Sequence, residues 1–183
     1  MRAPPPTGTL RISAPSDKLA AGLFNRTARL IAATSIAAAL LIDIAMKRLL
    51  LAEADSWNDK IIVPGFLETH YAFNRGVSFS LFWQSSSLGS GTLAALQMVF
   101  ILIFAIAAFR TSKPIVAAGL GLIVGGALGN IADRIGMGAV FDFLVVRLGA
   151  TPFFVCNSAD IFISLGVIVL VADMLLVKKA RPG

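Results

Sequence analysis

Four aspartates lie in apolar surroundings and carry the most chemistry in this sequence: Asp43, Asp133, Asp142 and Asp160. An ionisable side chain inside a membrane costs about 2.5–3.5 kcal/mol on insertion scales, so each of them needs a reason. Two carboxyl groups that share a site cannot both ionise cheaply, so one keeps its proton while the other can take a proton from water. Such a pair could hydrolyse an amide bond by acid–base chemistry. Spacing alone leaves open which two aspartates form the pair.

Other reactive side chains fit their positions as structural groups. The single histidine, His70, lies in an aromatic stretch outside the apolar runs, and the single cysteine, Cys156, follows Phe153, Phe154 and Val155. Neither has the partner that nucleophilic catalysis needs, and together they cannot form a Cys/His zinc site. No P-loop or dinucleotide-binding fingerprint is present. We therefore expect carboxylate chemistry with no metal and no cofactor.

Polar residues accompany these aspartates at helical spacings of three and four: Lys47, Asn130, Arg134 and Asn157. At about 1.5 Å per residue, Asp43, Asn130 and Asp160 lie at similar depths on three predicted helices. A shared depth favours one polar site over unrelated helix contacts. An i,i+4 ion pair between Asp43 and Lys47 that merely neutralises itself remains an equally good reading of those two residues.

The elements that must position this layer are membrane helices. The 183 residues have mean hydropathy +0.83, with 57% hydrophobic and 14% charged residues, whereas soluble domains average about 25% charged. Four apolar runs approach the ~20 residues that a spanning helix needs, at about 28–51, 91–109, 114–131 and 153–177. The predicted fold is an all-α membrane protein of four transmembrane helices with a small extracytoplasmic layer of strands and loops.

Charge distribution sets the predicted orientation. Lys and Arg concentrate in the N-terminal segment, in the turn at 110–113 and at the C-terminus, which places both termini in the cytoplasm. We expect a disordered tail over 1–27, a four-helix transmembrane domain over 28–177 and a basic tail over 178–183. The segments at about 52–90 and 132–152 then face outward. Net charge is +6, but without a dense basic patch we expect no nucleic-acid partner.

The first outer segment is predicted to contain short strands. Residues 61–82 alternate and are rich in aromatic and β-branched side chains. Six aromatic residues in or directly after this stretch suit a layer on the lipid headgroups: Phe66, Tyr71, Phe73, Phe79, Phe82 and Trp83. We expect residues 66–83 to clamp a substrate from above. The second segment is expected to be a short loop that folds back onto the bundle and carries Asp142.

Five sequence blocks, in order, resemble the lipoprotein signal peptidases, that is, bacterial signal peptidase II of peptidase family A8. They are Asp43-x-x-x-Lys47, FNRGVSFSL at 73–81, GGALGNIADR at 125–134, VFDF at 140–143 and CNSAD at 156–160. The resemblance covers about residues 28–177. It implies a four-helix intramembrane aspartyl endopeptidase of the bacterial inner membrane, with its active site near the outer face. Such an enzyme removes the signal peptide of diacylglyceryl-modified prolipoproteins immediately before the lipid-bearing cysteine.

The resemblance also implies roles for particular residues. Asp142 and Asp160 correspond to the catalytic dyad. Asn74, Asn130, Arg134 and Asn157 correspond to polar positions that bind substrate or support the dyad. Asp43, Lys47 and Asp133 look structural. Family members are inhibited by the cyclic peptide globomycin, so globomycin and membrane lipid are expected partners of a monomer.

Two departures from the family pattern occur beside the site. Arg75 replaces the threonine that commonly follows the asparagine of the second block, and Cys156 replaces the phenylalanine that usually precedes the asparagine of the last block. Neither change removes a catalytic group. Three other classes compete with the peptidase: a small transporter or channel component, a structural membrane subunit, and a lipid-modifying transferase. The transporter would need acids nearer the midplane, and the transferase a nucleophile or base that is not found.

Overall fold

The computed structural model describes residues 15–76 and 87–179, with side chains described for residues 25–76 and 94–176. The elements follow in this order: α1 (Pro15–Ala52), α2 (Ala54–Trp57), β1 (Ile61–Val63), β2 (Leu67–Asn74), α3 (Ser87–Arg110), α4 (Pro114–Met137), β3 (Val140–Leu148), β4 (Thr151–Cys156) and α5 (Ser158–Lys179).

Within the described ranges, three helical stretches are long and apolar enough to cross a membrane: Asn25–Ala52, Pro114–Met137 and Ser158–Leu176. The apolar stretch Ala94–Arg110 of α3 is shorter. The chain is therefore a helical membrane protein with several spans and a small sheet. The predicted helices are present, but the fourth begins at Ser158 because residues 151–156 are taken up by β4.

The first helix starts earlier than the apolar run predicted. It begins at Pro15, so residues 15–27, which were expected to be disordered, are helical. Proline suits the first helical turn, where its missing N–H has no partner to lose. The following Lys-Leu-Ala-Ala sequence consists of strong helix formers. Residues 1–14 and 180–183, which hold the rest of the predicted tails, lie outside the described residues.

Helix α4 is the centre of the bundle. In its most apolar stretch 67% of the residues are buried, compared with 22% in α1 and 11% in α5. Glycines let its neighbours approach closely. A Cβ at Gly125 would lie 2.5 Å from Ile36 O and 2.7 Å from Ala39 Cβ of α1. A Cβ at Gly126 would lie 2.5 Å from Ala159 O of α5. The glycine-rich run VGGALGN thus brings three helices together beside the polar residues at their ends.

The four strands form one antiparallel sheet in the order β1-β2-β3-β4. Phe73 pairs with Phe141, and Ala72 with Asp142, while Leu144 pairs with Cys156. Gly149, at φ 63°, makes the tight turn between β3 and β4. The Phe141 ring lies under Tyr71, with centroids 4.9 Å apart. The sheet covers the end of the bundle where the polar residues lie.

The predicted strands of the first outer segment are present as β1 and β2, but the second segment is a strand hairpin and not a loop. β3 is buried over its first four residues, because one face meets the helices and the other carries Phe141, which packs against rings of β2. Such a strand has no clear alternation, so its sequence resembles a loop folded onto the bundle. Of the predicted aromatic layer, Phe66 and Phe73 are exposed, whereas Phe79, Phe82 and Trp83 lie outside the described residues.

The close approach at Gly125 predicts a cost for the smallest possible side chain. Gly125→Ala should lower the free energy of unfolding by about 1–3 kcal/mol, because the α1 backbone has to move away. Gly136→Ala is the matched control, since a Cβ there meets nothing within 4 Å. Thermal unfolding in detergent measures both. Equal unfolding temperatures for the two variants would contradict this account of the packing.

Candidate active site

The start of α5 holds the first carboxylate through a reciprocal cap. Asn157 Oδ1 accepts a hydrogen bond from the Asp160 N–H at 3.2 Å, and Asp160 Oδ2 accepts one from the Asn157 N–H at 3.2 Å. This arrangement is a capping box, in which two side chains satisfy two free N–H groups of the helix start. The helix N-terminus also favours negative charge at that place. Asp160 is therefore fixed in orientation before any partner is considered.

The second carboxylate, Asp142, is brought to the same place by β3. Its Oδ1 accepts a hydrogen bond from Asn157 Nδ2 at 2.6 Å, and its Oδ2 accepts one from Asn74 Nδ2 at 3.1 Å. Asn74 lies two residues beyond Ala72, the residue that pairs with Asp142, so the two side chains are diagonal neighbours on one face. Asn157 thus contacts Asp142 with its side chain and Asp160 with its backbone. The two carboxyl groups belong to one cluster.

Asn130 of α4 connects this pair to the helix bundle. Its Nδ2 donates to Asp160 Oδ1 at 3.0 Å, and its Oδ1 accepts from Asn157 Nδ2 at 3.1 Å. Lys47 Nζ also donates to Asn130 Oδ1, at 3.2 Å. With two donors on its oxygen, the amide can turn only its NH₂ group toward Asp160.

Lys47 is buried and makes two ion pairs. Its Nζ lies 2.9 Å from Asp43 Oδ2 and 2.7 Å from Asp133 Oδ2. Asp133 also accepts a hydrogen bond from the Phe141 N–H at 3.2 Å, which fixes the strand one residue before Asp142. Asp43 accepts a hydrogen bond from Ser158 Oγ at 2.5 Å. Asp43 and Lys47 therefore join a network across three helices and a strand, and do not merely neutralise each other.

Arg134 lies at the edge of the cluster. Its Nη1 donates to Gln97 Oε1 at 2.9 Å, and its Nη2 donates to Gly76 O at 3.2 Å. Gln97 of α3 and Ser158 of α5 are two site residues that the sequence reading missed. Ser158 could have been noticed because it lies at the first turn of α5. Gln97 gave a weaker signal, as one polar residue in an apolar run.

The remaining candidates lie apart from this cluster or are chemically inert. His70 is exposed and pairs with Asp59, at 2.6 Å between Nδ1 and Oδ1. Burial raises the pKa of Cys156 to about 12, so its thiol stays protonated at neutral pH and is a poor nucleophile. Arg75 is exposed. In the described ranges no three His, Cys, Asp or Glu side chains are grouped so that they could hold a metal ion.

Burial raises the pKa of Asp142 from 3.8 to about 6, and hydrogen bonds from Asn157 and Asn74 oppose this rise. The nearby Asp160 carboxylate raises it further. A carboxyl group with this pKa exists in both protonation states near neutral pH. The cluster can therefore hold one proton between two carboxyl groups, which is the state that acid–base hydrolysis of an amide requires.

The fold and the cluster together define a class: a helical membrane protein with one buried and one half-buried carboxyl group at one end of its bundle, beneath a small sheet. Residues 35–176 match the family model described as signal peptidase (SPase) II. The chain belongs to the signal peptidase II family, peptidase family A8. That membership sets aside the transporter, structural-subunit and transferase alternatives.

Three bacterial relatives named lipoprotein signal peptidase show how far the similarity extends. The Beijerinckia indica protein is 43% identical over 108 residues, which is 59% of this chain and 65% of that protein. The Methylobacterium sp. (strain 4-46) protein is 37% identical over 75% of this chain and 84% of its own length. The Nitrobacter hamburgensis protein is 37% identical over 76% and 88%. The chain thus spans just under two thirds of the first relative and most of the other two.

Two solved bacterial membrane enzyme structures share the fold. One has TM-score 0.63 and 22% identity, and covers 85% of this chain and 92% of its own. The other has TM-score 0.62 and 24% identity, over 81% and 92%. At these identities the likeness supports the arrangement of helices and sheet alone.

The ion pairs of Lys47 predict a large cost for removing its charge. Lys47→Met should destabilise the protein by about 3–5 kcal/mol, because Asp43 and Asp133 would remain buried without a cation. Lys60→Met is the control, since Lys60 is exposed and lies over the Trp57 ring. Thermal unfolding in detergent compares them. Similar unfolding temperatures would show that Lys47 is not the central charge of the network.

The raised pKa of Asp142 predicts how stability depends on pH. The folded state binds this proton more tightly than the unfolded state, so the contribution is complete below about pH 4 and lost as the pH rises through about 6. The shift from 3.8 to about 6 corresponds to about 3 kcal/mol. Asp142→Asn should therefore flatten the decline in thermal stability between pH 4 and 7. An unchanged decline would show that another group titrates. Asp59→Asn is the control, because Asp59 is exposed and its loss should leave the decline as in the wild type.

Proposed function

We propose that this protein cleaves the signal peptide from diacylglyceryl-modified prolipoproteins immediately before the lipidated cysteine. The observation that carries the proposal is the contact of Asn157 with both Asp142 and Asp160, since it unites two carboxyl groups from a strand and a helix. Family membership supplies the substrate class. The proposed enzyme needs no metal and no cofactor, and acts as a monomer.

Asp142 and Asp160 are the proposed catalytic dyad. One carboxylate takes a proton from a water molecule as that water attacks the scissile carbonyl carbon, while the protonated partner donates to the carbonyl oxygen. The tetrahedral intermediate then collapses as the leaving nitrogen gains a proton from the dyad. The raised pKa of Asp142 supports a shared proton near neutral pH.

The supporting residues have distinct proposed roles. Asn74, Asn130 and Asn157 orient the two carboxyl groups through the hydrogen bonds described above. Arg134, next to the pair, is proposed to bind substrate. Asp43, Lys47 and Asp133 are proposed to be structural, because both carboxylates are engaged by the Lys47 ammonium.

The proposed topology has four crossings, with α3 (Ser87–Arg110) as the fourth span. Its 24 residues would extend about 36 Å at 1.5 Å per residue, enough for ~30 Å of hydrocarbon. Lys and Arg near both termini and at residues 110–113 support an orientation in which those ends lie on the cytoplasmic side of a bacterial inner membrane. The dyad then lies near the outer face, where a lipid-anchored peptide and water can both reach it.

The direct test incubates purified protein with a diacylglyceryl-modified precursor, with and without globomycin, and reads the product by mass. We expect release of the signal peptide with cleavage before the lipidated cysteine, and inhibition by globomycin. Asp142→Asn and Asp160→Asn should each lower the rate by at least about 10³-fold, since each removes a proton-transfer group. Both variants should still insert into membranes and bind globomycin.

Asp59→Asn is the matched control for these substitutions. Asp59 is exposed and has φ 58°, a backbone conformation that asparagine tolerates well. This variant should cleave at the wild-type rate. Wild-type activity in either dyad variant would mean that the catalytic pair is misassigned.

A further inference from the structure

We propose that Gln97 is a positioning residue that holds Asn74 against Asp142 through Arg134 and Gly76. The proposal rests on the dyad assigned above and adds a role for α3, which contributes neither of the proposed catalytic carboxyl groups. Gln97 does not touch Asp142 itself. It acts at the far end of a chain of hydrogen bonds.

The sequence around Gln97 makes its presence unusual. From Ala94 to Phe109, Gln97 has the only side chain that can form strong hydrogen bonds. A polar group in hydrocarbon has no water to bond, so such a residue must find its hydrogen-bond partners inside the protein. Gln97 uses both ends of its amide: Nε2 donates to Ala127 O at 3.1 Å, and Oε1 accepts from Arg134 Nη1 at 2.9 Å.

Those two contacts fix how the amide is oriented. The bond to Ala127 O of α4 holds the NH₂ end, and the oxygen is then presented to Arg134 of the same helix. An apolar side chain of similar length could fill the space but could not hold the guanidinium. The role therefore depends on the amide and not on packing.

From Arg134 the chain of hydrogen bonds runs to the dyad. Arg134 Nη2 donates to Gly76 O at 3.2 Å, and the Gly76 N–H donates to Asn74 Oδ1 at 2.9 Å. Asn74 Nδ2 then donates to Asp142 Oδ2 at 3.1 Å. Because Gly76 occupies the Asn74 oxygen, the NH₂ group of Asn74 is the end that faces Asp142.

The guanidinium has few other restraints in the described part of the chain. Arg134 Nε is buried without a hydrogen-bond partner there, and its remaining contact, from Nη1 to Asn130 O, is long at 3.4 Å. Without Gln97, Nη1 of Arg134 would keep only this weak contact among the described residues. Arg134, the Gly76 turn and Asn74 would then lose a fixed position together.

Loss of the Asn74 hydrogen bond has a predictable direction. That bond opposes the rise in the pKa of Asp142, so weakening it should raise this pKa further. Apparent pKa values in a coupled pair belong to the pair, so a higher pKa of Asp142 should shift the pH–rate profile to higher pH. A residue that merely stabilised the fold would lower the amount of active enzyme without moving the profile.

The experiment compares Gln97→Met with Gln97→Glu in the precursor-cleavage assay from pH 5 to 8. Gln97→Met removes both polar ends at similar length, and should lower kcat/KM about tenfold, the scale of one hydrogen bond to a charged group, and shift the profile to higher pH. Gln97→Glu keeps an acceptor for Arg134 and should retain more activity than Gln97→Met. Met98→Leu, on the exposed side of the same turn, is the control and should match the wild type.

A double-mutant cycle tests whether Gln97 acts through Arg134. In an Arg134→Lys background, Gln97→Met should cause little further loss of activity or shift of the profile. Additive losses, an unshifted profile, or equal activity of the Met and Glu variants would each overturn the proposal. The same cycle measured by thermal unfolding tests the contact without using activity. A wild-type protein that cleaves no precursor would instead reject the proposed function.

Discussion

The ammonium group of Lys47 is the charge on which the rest of this structure depends. It lies between carboxylates of α1 and α4 and also donates to Asn130. A lone cation at this place would be expensive, as would either carboxylate. Together they form a set of mutually satisfied charges that joins two helices, and Asp133 extends this set to the strand that carries Asp142. The ion-pair network therefore helps to set the geometry of the proposed dyad, although neither Asp142 nor Asp160 belongs to that network.

Close helix contact and polar contact support each other in this bundle. Gly129 lies against the Asp43 carboxylate so closely that a Cβ would collide with it. The side chains of α1 and α4 can reach each other only because the backbones approach this closely. In return, the ion pairs provide an attraction between helices that apolar packing alone gives weakly in lipid. The glycine run allows the close helix contact that the polar residues need, and the polar residues stabilise that contact.

Local patterns were sufficient to predict the helices and the polar residues that share a helix face, whereas Asn74 and Asp142 were assigned to the site only by the family resemblance. Apolar length identified the helices, and spacings of three and four placed Asn130 with Arg134 and Asn157 with Asp160 on shared faces. The hairpin of β3 and β4 was not predicted, because a strand buried on both faces shows no alternation. Gln97 was missed for a different reason: its partners, Arg134 and Ala127, are 37 and 30 residues away. A single polar residue in an apolar run shows that a partner must exist without showing which one.

Burial of Asp142 costs folding stability, but it raises the pKa of the carboxyl group as the proposed proton sharing requires. Its carboxyl group receives hydrogen bonds from two asparagines, yet burial still raises its pKa to about 6. A fully solvated aspartate would be cheaper for the fold, but at neutral pH it would be ionised and could not share a proton. A more deeply buried one without amide donors would stay protonated and could not take a proton from water. Amides suit this intermediate position because they donate hydrogen bonds without adding a charge. A lysine or arginine in direct contact would lower the pKa of the carboxyl group too far. In this structure Lys47 forms its ion pairs with Asp43 and Asp133, and its charge lowers the pKa of Asp142 less than burial raises it. Asn74, Asn130 and Asn157 thus hold the two acids of the proposed dyad together near a strong cation without adding a charge.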